Sequence, residues 1–179
     1  MGKMALNLNN RVRMLWMQHS EWTRMAFTSV IFNNAEERQV VQRLLRNPID
    51  FACFLASFYG EGIGGRFGVL LTEHLSLAVA LVRATIAQDT GNAEKIKTKL
   101  FHNAEEISAF LASINPYWHY EIWKEMFFIH LDLAIEMAGQ QINGEYEESI
   151  NTYDRFEAEV MEMARMMFQG IMKQFACAH

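Results

Sequence analysis

Proline is almost missing from this chain, with Pro48 and Pro116 the only two in 179 residues. Because proline removes a backbone donor and clashes with the preceding helical turn, its scarcity leaves room for long uninterrupted helices. Cysteine is equally scarce. Cys53 and Cys177 lie far apart in sequence, which excludes a disulfide framework and suits reduced thiols, and neither has a nucleophile-like setting. There is no block or stripe of Lys and Arg, the net charge is −5 and the pI is near 5.7, so nucleic acid is not an expected partner. No 18-residue apolar run escapes interruption, since Glu73 and His74 break the best one, and residues 1–10 lack an apolar signal-peptide core. The expectation is a cytoplasmic protein with no membrane partner. Strand-like alternation of apolar and polar residues is also absent.

What the chain does have is 51% hydrophobic residues at helical spacing, over a length that suits one domain, residues 1–179. Turn signals at Asn33-Asn34, Gly60 to Gly65, Thr90-Gly91-Asn92, Asn115-Pro116 and Asn143-Gly144 cut it into six stretches. These are roughly 8–32, 36–58, 62–88, 92–114, 117–141 and 145–176. An all-α, up-and-down helical bundle follows. Asn47-Pro48 inside the second stretch predicts a kink or restart, with Asn47 as the N-cap.

Three of the apolar runs carry one histidine each. His19, His74 and His130 stand 55 and 56 residues apart, and FLAS recurs at Phe54–Ser57 and Phe110–Ser113, again 56 apart. The same offset carries Asn47 onto Asn103 and Phe67 onto Trp123. The pattern reads as an internal repeat of about 55 residues, three helical hairpins in all, weakest in the last helix. Residues three and four apart share a helix face. His19 shares its face with Leu15, Trp16 and Ala26, His74 with Phe67, Leu70 and Leu81, and His130 with Trp123, Phe127 and Met137. All three imidazoles should therefore point inward. In the last helix Ile150, Tyr153, Val160, Ala164, Phe168 and Ile171 make an apolar face that Glu157 completes, with Asp154 next to it.

Counted from the expected helix starts, the three histidines, Asn47, Asn103 and Glu157 fall at about one height, given about 1.5 Å of rise per residue. Three neutral imidazoles and a carboxylate are a ligand set for a divalent transition metal such as zinc, iron or manganese. On that reading His19, His74, His130 and Glu157 are the candidate ligands, and Asp154 is the alternative carboxylate. Asn47 and Asn103 fix the imidazole tautomers. Trp16, Trp22 and Trp123 are the candidate pocket walls. A metalloenzyme acting on a small molecule through metal-activated water is the reactive form of this expectation. The competing expectation is a non-catalytic module, homo-oligomeric or binding an apolar ligand between Trp and Met side chains. Its His/Asn layer would simply be hydrogen-bonded across the core. A ferritin-like di-iron site is not the expectation, because the residues three before the histidines are Trp16, Leu71 and Phe127 rather than Glu.

Other signals are weaker. Gly60-Glu-Gly-Ile-Gly-Gly65 has the spacing of a dinucleotide fingerprint, but it follows a helix instead of a strand, so it reads as a turn with close helix packing. The methionines at 161, 163, 166, 167 and 172 read as core filler. Arg24 and Arg43 are expected at the surface, within reach of Asp50, Asp154 or Glu157, while His102, His119 and His179 lie off the apolar faces.

The segments LWMQHSEWTR, RLLRNPIDF, LLTEHL, NAEEISAFL and INPYW resemble those of a group of small all-helical bacterial proteins of unassigned function. The resemblance spans most of the chain and implies no chemistry. Arg165 stands where that group's pattern leads one to expect an acidic residue. In placing three histidines within a helical bundle the chain is also similar to DinB-type metalloproteins, although it lacks their pair of histidines four apart on one helix.

Overall fold

The structure, a computed structural model, describes residues 2–176, and for Ala176 the backbone only. Cys177 and His179 lie outside the described residues. All the regular structure among these residues is α-helix: α1 (Lys3–Ile31), α2 (Glu37–Leu44), α3 (Asn47–Tyr59), α4 (Glu61–Ile86), α5 (Thr90–Ile114), α6 (Tyr120–Asn143) and α7 (Tyr146–Ala176). The all-α bundle read from the periodicity is what the chain forms, with short connections between antiparallel neighbours.

Local chemistry explains the breaks. Asn33 and Gln88 adopt left-handed φ values of 51° and 56°, ending α1 and α4. Gly144 at φ 80° closes α6 as an αL cap. Gly60 at φ 88° alone separates α3 from α4, a conformation that a side chain would resist. The Asp89 carboxylate accepts from the Asn92 backbone N–H at 3.2 Å, so Thr90-Gly91-Asn92 forms the first turn of α5 and the connection sits just before it. The restart at Asn47-Pro48 is present, but Arg46 occupies the N-cap position and Asn47 is the first helical residue. Its side chain has gone into the core. α1 begins at Lys3, five residues ahead of the expected start, without a side-chain cap to announce it.

α1 packs against α2, α3, α4, α6 and α7; α3 also packs on α4, α5 lies between α4 and α6, and α7 lies between α6 and α1. The closest seam is α3 on α4. A Cβ added at Gly64 would run into the Ala52 carbonyl and come within 2.8 Å of the Ala56 methyl, and one at Gly68 would reach the Ala52 methyl at 3.0 Å. The Gly60–Gly65 segment is thus a turn followed by close helix packing. α4 is long and apolar enough to cross a membrane, yet half of its most apolar window is buried inside the bundle.

Trp16, Trp118, Trp123, Phe51, Phe54, Phe67, Phe127 and Phe156 are among the largest fully buried side chains. Met163 and Met167 are buried among them as core filler, while Ile150, expected on the inner face of α7, is exposed. The α7 core face instead runs through Ser149, Thr152, Phe156, Val160, Met163, Met167 and Ile171.

Candidate functional site: a histidine and asparagine layer

The three histidines do meet. His19, His74 and His130 are 1%, 1% and 3% exposed, and the His130 ring lies 5.2 Å from that of His19 and 6.2 Å from that of His74, centroid to centroid. Asn47 and Asn103 join them from α3 and α5, also buried.

The two histidine–asparagine pairs are built alike. The Asn47 amide donates to the Leu15 carbonyl at 3.0 Å, and its oxygen faces His19 Nδ1 at 3.3 Å. The Asn103 amide donates to the Leu70 carbonyl at 3.1 Å, and its oxygen faces His74 Nδ1 at 2.9 Å. In each case the carbonyl belongs to the residue one turn before the histidine. Since a carbonyl only accepts, the amide nitrogen must face it, which leaves the amide oxygen to accept from the imidazole. His19 and His74 therefore carry their protons on Nδ1, and their Nε2 atoms are bare acceptors. Asn103 has one further contact, donating to the Glu73 carboxylate at 3.4 Å.

The third histidine differs. His130 Nε2 lies 3.3 Å from His19 Nε2; because the latter is bare, His130 supplies the proton. His130 Nδ1 is then a buried acceptor without a partner. Where α3 and α5 supply an asparagine, α7 supplies Phe156, whose ring lies 4.6 Å from that of His130. Glu157, the expected carboxylate, is only half-buried one residue along, and Asp154 is exposed. Val160, Ala164 and Ile171 are buried as expected, but one turn earlier the core position falls to Phe156 and leaves Glu157 at the edge of the face.

Burial dominates the electrostatics. It pushes the His19 imidazole down to about 3, with His74 nearby adding to the effect, and the His74 imidazole down to about 4, against the opposing influence of Asn103. His130 is held well below the ordinary histidine range by burial and by its two neighbours. The layer is uncharged at neutral pH. Among the described residues no three His, Cys, Asp or Glu side chains are grouped so as to hold a metal ion.

The tryptophans expected to wall a pocket are core residues. Trp16 and Trp123 stack with centroids 6.5 Å apart, and Trp16 meets Phe51 edge-on at 5.1 Å. Half-buried Trp22 carries the Arg43 guanidinium over its ring at 4.8 Å. Arg24 lies over the Tyr153 ring at 4.7 Å and donates to the Ser149 carbonyl at 3.2 Å, so both arginines are half-buried rather than free at the surface. His102 and His119 are exposed, as expected.

Two features have no counterpart in the sequence reading. Glu159 is half-buried with one carboxylate oxygen unpartnered, and burial, with Glu162 nearby, pushes its carboxyl up to about 8. A cavity of about 110 Å³ lies between α4, α5 and α6. Ala78 in α4 and Ala134, Ala138 and Gly139 in α6 are its only trace in the sequence.

Comparison with family models, with curated proteins and with solved structures finds no match to this chain.

Proposed function

We propose that this chain is a non-catalytic helical module in which the His/Asn layer is structural, ordering three hairpins that derive from a repeat of about 55 residues. One observation carries the reading: Asn47 and Asn103 each tie an imidazole to the backbone of that imidazole's own helix. Every hydrogen-bonding atom of this kind buried without a partner would cost about 1–3 kcal/mol, so the two pairs, each satisfied by its asparagine, help specify how the helices dock, while His130 Nδ1 stays unpartnered. The like construction of the two pairs, 55 and 56 residues apart, supports the repeat. Neutral imidazoles without a carboxylate beside them favour a structural layer over an acid–base centre.

A divalent metal centre at the same level is the second reading, and a specific distance favours it. Adjacent ligands on a tetrahedral ion with bonds of about 2.05 Å stand about 3.3 Å apart, which is the separation of His19 Nε2 and His130 Nε2. Asn47 already leaves one of those nitrogens bare. Elemental analysis of protein purified without chelators separates the two readings. The structural layer requires no stoichiometric metal and no change in melting temperature with added zinc, iron or manganese. One equivalent of metal that is lost in His19→Ala overturns it in favour of the centre.

A further inference from the structure

We propose that the cavity between α4, α5 and α6 is a binding site for a small apolar molecule of about the size of benzene. The cavity does not depend on the function of the histidine layer. It begins one turn beyond that layer, at Ala78 and Ala134, and continues to Thr85 and Ile142 near the ends of α4 and α6. Phe27 of α1 and Leu100 of α5 close its inner side.

Its lining is apolar except for Thr85, and the Thr85 hydroxyl already donates to the Leu81 carbonyl at 2.9 Å. Water needs about two to four polar partners to settle in a buried space, and an apolar cavity of about 150 Å³ stays dry and takes up benzene or xenon. A pocket of about 110 Å³ lined in this way gives water few polar partners and offers dispersion contacts to a hydrocarbon or a small aromatic ring. Burial locates the opening: Ala78, Val82, Ala134 and Ala138 are buried, whereas Thr85 is exposed and Gly139 and Ile142 are half-buried. The mouth lies there. A Cβ built on Gly139 meets nothing within 4 Å, so the chain leaves space at the entrance as well as inside. Small side chains on both walls keep open a volume that one larger side chain would fill, at a stability that the chain forgoes.

The test uses the full chain with two probes, benzene in solution and xenon under pressure. Wild type should bind both, seen as a shifted and broadened ¹²⁹Xe resonance and as a melting temperature raised by about 3 °C at ten times the benzene Kd. Ala138→Leu fills the cavity from α6 and should abolish both responses. Ala78→Val, a smaller fill from α4, should weaken them and guards against misfolding of the first variant, with circular dichroism establishing that each is helical. Wild-type protein that responds to neither probe overturns the proposal, as does an equal response in both folded variants.

Discussion

At the scale of single residues, the asparagines are the most informative positions. Removing the Asn47 or Asn103 side chain orphans a buried imidazole N–H and takes the second donor away from a helical carbonyl. Asn47→Ala and Asn103→Ala are each expected to destabilise the fold by about 1–3 kcal/mol, and more than alanine at any exposed asparagine, as urea denaturation would show. Equal costs for buried and exposed positions would refute the structural role. The histidines were legible in the sequence because each is the one titratable residue on an otherwise apolar face. Phe156 was not. With Tyr153, Phe156, Glu157 and Val160 close together, a period of 3.6 fits two frames that differ by one residue, and only packing against α1 and α6 chooses between them. Asn47 was misread for a different reason: asparagine before proline is a good capping sequence, and buried hydrogen-bond acceptors that outbid the cap lie on another helix.

At the scale of elements, α4 is held to α3 by the absence of side chains. Gly64→Ala forces a methyl into the Ala52 carbonyl and should cost about 1–3 kcal/mol. Gly65, one residue along, meets nothing within 4 Å. Gly65→Ala should stabilise by about 0.4–1 kcal/mol through the helix and the unfolded chain alone. Melting temperatures that move in the same direction for both would contradict the packing described. Helix ends were legible wherever glycine or asparagine takes a positive φ, as at Gly60, Gly144 and Asn33. They were misjudged at the start of α1, where Gly2 offers no capping side chain, and at the start of α5, where Asp89 rather than the Thr-Gly-Asn signal sets the boundary.

At the scale of the whole molecule, the buried titrating groups fix the pH range over which the bundle is stable. His19, His74 and His130 are neutral in the fold and titrate near 6.5 when unfolded. Their depressed values mean that the unfolded state binds protons first, so stability is full above about 6.5 and falls as the pH drops towards 4 and 3. The limiting slope is about 1.4 kcal/mol per pH unit for each histidine. Urea denaturation between pH 8 and pH 4 should show it, and His74→Leu should reduce it by about a third. Glu159 has the opposite sign. Its carboxyl is raised to about 8, so the proton it keeps in the fold favours stability below about 4.5, and that contribution is lost as the pH rises towards 8. Glu159→Gln should therefore gain on wild type as the pH is raised from 5 to 8; a constant difference would show that the carboxylate is already charged in the fold. Overall class and helix count were open to reading from composition and periodicity, because they depend on patterns repeated many times. The cavity was not, because an alanine that borders a void and one that borders a neighbour look the same in one dimension.

The Leu15 carbonyl, a main-chain atom with no chemistry of its own, decides where a proton sits on another helix. It selects the orientation of the Asn47 amide, which selects the nitrogen of His19 that bears hydrogen, and so obliges His130 to carry its own proton on Nε2. Information about protonation thus passes from α1 to α3, back to α1 and on to α6 through three contacts that each have one allowed sense. The ¹⁵N shifts of the three buried histidines should accordingly report two Nδ1–H rings and one Nε2–H ring in the same folded protein, and in Asn47→Ala the assignments of His19 and His130 should lose their fixed sense while that of His74 stays as it was.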